Sequence, residues 1–145
     1  MDEFIDRMGL VAEGDGLSRI AGRIMGLIVV DGGPLSFTQV AERLQISRAS
    51  VSTNTRLLEH LGVIERVAQR GERQDFFQLS DAPYAKLLQG SAGRMEKARS
   101  VVEHAKKELA GSDSQAWRRL DELSGFYEAL NKSFEELAAR FSAKG

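Results

Sequence analysis

The chain has 145 residues, of which 42% are hydrophobic and 28% charged, and its 20 basic and 21 acidic side chains give a formal net charge of −1. A chain of this size and composition folds as one domain, or as one domain with extensions, and not as a disordered segment. The charge balance speaks against a polybasic protein that coats nucleic acid, and the lack of cysteine excludes disulfides, thiolate metal sites and thiol nucleophiles.

The N-terminal part of the chain is predicted to form two helices. Apolar residues at three- and four-residue spacing indicate a short helix over residues 2–11 and a second over residues 17–30, separated by a glycine-rich break. Gly22 and Gly26 lie four residues apart in the second helix. Each costs about 1 kcal/mol of helix propensity relative to alanine, so we expect another element to pack closely against them.

Two shorter helices follow. Ser36 and Gln39 have the spacing of a capping box and predict the start of the first one. Ser47 is the expected N-cap of the second, which is predicted from Arg48 to Leu61 and is stopped by a glycine. The three-residue connection between the two helices is typical of a helix-turn-helix.

A β-hairpin is predicted directly after these helices. Residues 63–68 and 75–79 have strand character, and the polar tip between them contains Gly71. The order of helix, turn, helix and hairpin is that of a winged helix-turn-helix, in which the second helix enters the major groove of DNA and the hairpin forms the wing. The sequence therefore predicts a mainly α fold with a small β-hairpin wing.

One face of the predicted second helix is suited to DNA. No acidic residue occurs from Ser47 to Leu58. Short hydroxyl side chains let a helix approach base edges and phosphates, and arginine binds guanine or phosphate. The candidate contact residues are Ser47, Arg48, Ser50, Ser52, Thr53 and Arg56 in the helix, with Arg70 and Arg73 at the wing. Winged helices also bind other proteins, so an adaptor that binds a protein and not DNA is the alternative.

Several runs of the sequence resemble one family. They are residues 19–27 (RIAGRIMGL), 41–44 (AERL), 47–54 (SRASVSTN), 61–67 (LGVIERV) and 71–77 (GERQDFF). Together they resemble the GbsR-like branch of the MarR-type winged-helix regulators over about residues 4–79. Two residues depart from that pattern: Thr55 stands where such helices usually have an aliphatic residue, and Gln74 where many wings have a basic one.

The resemblance implies a homodimeric transcriptional regulator, often a repressor, whose partner is double-stranded DNA. It adds Asn54 to the DNA-contact set, because that residue ends the matching 47–54 run. It also suggests a quaternary ammonium effector such as choline or glycine betaine. Aromatic side chains can hold such a cation, and Trp117 and Tyr127 are the candidates, although aromatic residues at helical spacing are more often part of a core.

Two long helices are predicted at the C-terminal end, from about residue 81 to 110 and from 114 to 141. Each is roughly 40 Å long. The helix-turn-helix and hairpin of residues 36–79 are too small to cover the apolar faces of both helices. They either form an antiparallel hairpin with each other or pack with the first helix of a second subunit, and we favour the dimer. Its predicted interface combines two residues of the first helix with a heptad seam in the last: Phe4, Met8, Leu120, Leu123, Tyr127, Leu130, Phe134, Leu137 and Phe141.

The predicted organisation therefore has three parts. Residues 1–16 and 81–145 contribute to dimerisation, and residues 17–80 form the DNA-binding domain. A two-fold dimer places two recognition helices about 34 Å apart, which suits a pseudo-palindromic operator. Gly90 and Gly93 in the first long helix mark either a hinge between the DNA-binding domain and the dimerisation region or a close helix crossing, and we favour the crossing.

No motif indicates catalysis. His60 and His104, the two histidines, lack the spacing of metal ligands, and neither a phosphate-binding loop nor a nucleophile elbow is present. We therefore expect no enzyme activity, no metal site and no cofactor. The acidic N-terminus and the lack of a long apolar run predict a cytoplasmic protein.

Overall fold

The computed structural model describes residues 1–142, so the last three residues of the predicted 81–145 region lie outside the described part. These described residues form six helices and three strands in this order: α1 (Asp2–Gly14), α2 (Arg19–Asp31), β1 (Leu35–Ser36), α3 (Phe37–Leu44), α4 (Arg48–His60), β2 (Ile64–Val67), β3 (Phe76–Leu79), α5 (Pro83–Glu108) and α6 (Ser114–Ser142). The mainly helical fold with a small antiparallel sheet is confirmed. The described residues divide into two compact units, Met1–Pro83 and a second that begins at Tyr84.

The sheet of the first unit has three strands and not the two of a simple hairpin. β2 and β3 form the predicted hairpin, and β1 adds to the free edge of β3 in the order β1-β3-β2. Leu35 pairs with Phe77 and Ser36 with Phe76. A strand of two residues is too short to give an alternating pattern, which is why the sequence does not predict it.

The caps of the helix-turn-helix are those that the sequence predicts. The Ser36 hydroxyl accepts a hydrogen bond from the Gln39 amide at 3.0 Å, and the Gln39 side chain accepts one from the Ser36 amide at 2.8 Å. The Ser47 hydroxyl caps α4 by accepting from the Ser50 amide at 3.1 Å. Each cap satisfies backbone donors that a helix start leaves open, so the first residues of α3 and α4 are fixed locally.

Helices α1 and α2 cross closely at small residues, as Gly22 and Gly26 predict. A Cβ placed on Gly22 would lie 2.5 Å from the Met8 carbonyl oxygen and 2.6 Å from the Ala12 Cβ. On Gly26 the nearest atom would be the Met8 Cβ at 3.3 Å. Helix α1, predicted to serve dimerisation, thus packs on α2 within the first unit. The largest fully buried side chains of this unit are Ile24, Leu27, Ile28, Val40, Val51, Thr55 and Phe77.

The second unit is an antiparallel helical hairpin. Polar side chains join α5 to α6: Asn131 donates to Glu96 at 3.2 Å, Ser124 to Glu103 at 3.2 Å and Lys106 to Asp121 at 2.7 Å. Within residues 1–142, a Cβ on Gly93 would meet nothing within 4 Å, and one on Gly90 only the Arg94 side chain at 3.5 Å. The close crossing predicted at these two glycines is therefore wrong for the single chain.

Candidate nucleic-acid interface

Most of the predicted contact residues of α4 lie at the surface. Arg48, Thr53 and Arg56 are exposed and Ser50 and Ser52 are half-buried, while the N-cap Ser47 is exposed beside them. The inner face of the helix is formed by Val51, Thr55 and Leu58, which are buried.

Asn54 does not belong to the exposed set. It is 7% exposed, and its side-chain amide donates to the Ser50 carbonyl oxygen at 2.8 Å. Its place in the family-like run made it a candidate, but its position on the helix turns it toward the interior.

Thr55 replaces an aliphatic residue without leaving an unpaired polar group. Its hydroxyl donates to the Val51 carbonyl oxygen, one helical turn earlier, at 2.7 Å. The side chain has no exposed surface. A buried threonine that bonds its own helix in this way occupies an apolar position at little cost, which accounts for this departure from the family pattern.

The arginines of the first unit fall into two sets. Residues 1–83 contain nine arginines and no lysine. Five have an acidic partner within 4 Å: Arg7, Arg19, Arg23, Arg43 and Arg66. Within the described residues, four have none: Arg48, Arg56, Arg70 and Arg73. The unpaired set coincides with the arginines that the sequence analysis assigns to DNA.

Arg66 connects the wing to helix α4. Its guanidinium donates to Glu59 near the end of α4 and to Asp75, the residue directly before β3, both at 2.8 Å. The hydrogen bond to Glu59 is the main cause that raises the pKa of Arg66. The group also lies over the Phe77 ring, 5.4 Å from its centroid. Arg66 is thus an exposed arginine whose charge is paired within the protein, unlike Arg70 and Arg73 nearer the wing tip.

The wing is also tied to the start of α3. The Gln74 side-chain oxygen accepts a hydrogen bond from the Thr38 amide at 3.1 Å, and the Asp75 carbonyl oxygen accepts one from the Phe37 amide at 2.9 Å. A basic residue at position 74 could not accept this bond. The second departure from the family pattern therefore has a structural role.

Phe37 is a member of the site that the sequence analysis did not identify. The Arg48 guanidinium carbon lies over its ring, 4.6 Å from the centroid. Phe37 in turn packs against the buried Phe77, with 6.4 Å between ring centroids. The only signal in the sequence was an aromatic residue next to a capping serine, which by itself does not indicate a contact eleven residues away.

The two effector candidates are not brought together within one chain. Trp117 and Tyr127 are ten residues apart on α6, which places them about 15 Å apart along the helix axis. The Lys106 ammonium already lies 4.7 Å from the centroid of the Trp117 ring. Tyr127 packs against Phe126, with ring centroids 5.9 Å apart. These contacts are not those of a cage around a free cation.

The predicted dimer residues are only partly covered. Phe4, Leu123 and Leu137 are each 38% exposed and Phe141 is 41% exposed. The remaining members are half-buried: Met8, Leu120, Tyr127, Leu130 and Phe134. Phe126, which the heptad seam omitted, is 57% exposed beside them. The dimer interface stays a prediction.

Other kinds of site are not indicated in the described part of the chain. Residues 1–142 contain no group of three or more acidic or histidine side chains placed to hold a metal ion. None of the helices there combines the length and the apolar character needed to cross a membrane.

The fold and the exposed face of α4 define a winged helix-turn-helix protein. Residues 15–75 match the model of the MarR family. The HTH-type transcriptional regulator MmpR5 of Mycobacterium tuberculosis is 29% identical over 143 residues, which cover 98% of this chain and 87% of that protein. The putative HTH-type transcriptional regulator YvaV of Bacillus subtilis is 25% identical over 87 residues, or 60% of this chain and 49% of that protein.

A solved structure is similar over almost the whole length. It is the crystal structure of a transcriptional regulator, with a TM-score of 0.87 and 29% identity, covering 98% of this chain and 97% of the other. The chain is thus similar to the MarR family over residues 15–75, and to a transcriptional regulator of known structure over almost its whole length.

Proposed function

We propose that this protein is a homodimeric transcriptional regulator of the GbsR-like branch that represses transcription from the cytoplasm by binding a pseudo-palindromic operator in double-stranded DNA. MarR-family regulators bind DNA, and the sequence match covers the helix-turn-helix and most of the wing. The observation that carries the proposal is the separation of the arginines in residues 1–83 into a paired set and an unpaired set.

The unpaired set matches the needs of DNA binding. An arginine already bonded to a carboxylate must give up that bond before it neutralises a phosphate, whereas an unpaired one is available at once. Arg48 and Arg56 lie on the acid-free face of α4, and Arg70 and Arg73 flank the wing tip. Arginine from a wing can enter a narrow minor groove while the helix occupies the major groove. A protein-binding adaptor has no need for this separation.

Homodimerisation is supported by uncovered apolar surface. Within the second unit the exposed side chains Leu123, Phe126, Leu137 and Phe141 follow one side of α6. Clusters of large exposed apolar side chains on a soluble domain mark contact surfaces. A second copy of this chain is the proposed occupant, since two-fold symmetry also provides the second recognition helix for an operator with two half-sites.

The quaternary ammonium effector remains a hypothesis that the family resemblance supplies. The separation of Trp117 from Tyr127 means that a cage containing both residue types would combine them from two chains. Isothermal titration of the protein with choline or glycine betaine tests it directly. Absence of heat, together with unchanged DNA binding in the presence of either compound, removes this part of the proposal.

DNA binding is tested by selecting bound duplexes from a random pool and titrating the selected duplex at several salt concentrations. We expect affinity to fall steeply with salt, and Arg56→Ala and Arg70→Ala each to reduce the salt slope by about one unit for a lost phosphate contact. Arg19→Ala is the matched control, because Arg19 is similarly accessible but bonded to Glu13 at 2.8 Å. Its slope should equal that of the unaltered protein.

Two results would contradict the proposal. Binding weaker than about 10⁻⁴ M for every duplex at low salt, below the usual range for nonspecific binding, would leave the adaptor as the better model. Equal effects of Arg19→Ala and Arg56→Ala would remove the argument from pairing.

Sedimentation of Phe126→Glu and Leu137→Glu tests the dimer, which should dissociate in both variants if α6 forms its interface.

A further inference from the structure

Two arginines and two phenylalanines form a stacked series in the first unit. Arg66 lies over Phe77, Phe77 packs against Phe37, and Phe37 lies under Arg48. The series starts at Arg66 in strand β2 of the wing and ends at Arg48, the first residue of α4. We propose that Phe37 is a positioning residue that holds the Arg48 guanidinium in place for its contact with DNA; the inference rests on the proposed function.

The two ends of the series differ in charge pairing. Arg66 is bonded to Glu59 and Asp75 at 2.8 Å each, so its charge is satisfied within the protein. Arg48 has no acidic partner within residues 1–142, and the face of Phe37 is the group that orients it. A cation over an aromatic face is attracted by the ring quadrupole without being neutralised. The stack can therefore fix the direction of Arg48 and leave its charge and its donors available.

The ring that supports Arg48 is itself fixed. The Phe37 amide donates to the Asp75 carbonyl oxygen at 2.9 Å, and its ring abuts Phe77, which has no exposed surface. Phe37 is also the first residue of α3, directly after the capping serine. Its backbone is thus held at the junction of the wing and the helix-turn-helix. A long, flexible arginine on such a support loses less freedom when it binds DNA, which favours affinity.

This role predicts a specific pattern in a double-mutant cycle. Phe37→Leu keeps an apolar side chain but removes the aromatic face, and we expect it to weaken binding to the selected duplex by about 2- to 5-fold, the strength of an exposed cation–π contact. In the Arg48→Ala background the same change should have no further effect, because the group that it orients is missing. Phe37→Tyr keeps the face and should restore binding to within 2-fold of the unaltered protein.

The outcomes separate this inference from the proposed function. The melting temperature is measured for every variant. DNA binding is then measured at a temperature well below the lowest of these melting temperatures, so that every variant is folded. If Phe37→Leu weakens binding equally with and without Arg48, or if Phe37→Tyr is no better than Phe37→Leu, Phe37 acts only through packing and the inference is wrong. If the unaltered protein binds no duplex, the proposed function fails instead.

Discussion

Replacing Gly22 by alanine tests the crossing of α1 and α2 on which the first unit depends. The new methyl group would lie 2.5 Å from the Met8 carbonyl oxygen, 2.6 Å from the Ala12 Cβ and 3.0 Å from the Gly9 Cα. Ordinary contacts between carbon atoms are about 3.5 to 4.0 Å, and two of these neighbours are backbone atoms. Helix α1 must therefore move by roughly 1 Å to admit the methyl group.

The size of the effect follows from two opposing contributions. Overpacking a close contact costs about 1–3 kcal/mol, and alanine returns up to about 1 kcal/mol of helix propensity. Because backbone atoms cannot rotate away, we expect the upper part of that cost and a net loss of about 1–2 kcal/mol in the free energy of unfolding. For a chain of this size the melting temperature should fall by roughly 3–8 °C.

Gly93→Ala is the matched control for this prediction. Gly93 also lies inside a helix, but within residues 1–142 a methyl group there would meet nothing within 4 Å. Only the gain in propensity applies, so stability should rise by up to about 1 kcal/mol. Thermal and urea unfolding at one protein concentration measure both variants. An unchanged or raised melting temperature for Gly22→Ala would refute the reasoning, as would a lowered one for Gly93→Ala.

Three further predictions concern single side chains. Arg66→Ala removes two partly exposed ion pairs and a stacked contact, so the free energy of unfolding should fall by about 1–2 kcal/mol. The salt slope of DNA binding should stay constant. A slope lowered by one unit, with an unchanged free energy of unfolding, would identify Arg66 as a phosphate contact instead. Thr55→Val removes a hydroxyl that bonds only its own helix, and urea unfolding should give a change between zero and about 1 kcal/mol of added stability; a clear loss would contradict this account. The hydrogen bond from Lys106 is the main cause that lowers the pKa of Glu103 from 4.5. Because the folded pKa lies below the unfolded value, the ionised carboxylate stabilises the α5–α6 hairpin above about pH 4.5, and that stabilisation is lost as the pH falls through the folded pKa. Circular dichroism during acid titration should therefore show a weaker pH dependence for Glu103→Gln, and an identical titration curve would show that this carboxylate has no such role.

Local signals predicted most of the first unit. The capping box at Ser36 and the cap at Ser47 depend on residues three apart, and both are present in the structure. The hairpin follows from two short apolar runs around a polar tip. β1 could not be predicted, because its two residues become a strand only by pairing with residues of β3 that lie 40 and 42 positions later in the chain.

The candidate site was also predicted only in part: features set by neighbouring residues were predicted, and contacts between residues far apart in the chain were not. The absence of acid from Ser47 to Leu58 is visible in the sequence and identifies the exposed face of α4. The sequence does not show whether Arg66 or Arg70 has an acidic partner, since both lie in the predicted wing with acidic residues nearby. Their difference arises from Glu59 and Asp75, which only the fold brings within 2.8 Å of Arg66. Asn54 was placed in the contact set because residues 47–54 resemble a family. That resemblance gave no information about the direction of the Asn54 side chain, which is 7% exposed.

The absence of lysine from residues 1–85 has a consequence for how the proposed DNA-binding surface can be controlled. The basic side chains of that surface are all arginines: Arg48, Arg56, Arg70 and Arg73. Acylating enzymes and amine-reactive labels act on lysine and leave these side chains unchanged. A fluorescent amine-reactive label would therefore attach to the second unit and to the N-terminal amine, and would report on DNA binding without altering the four arginines.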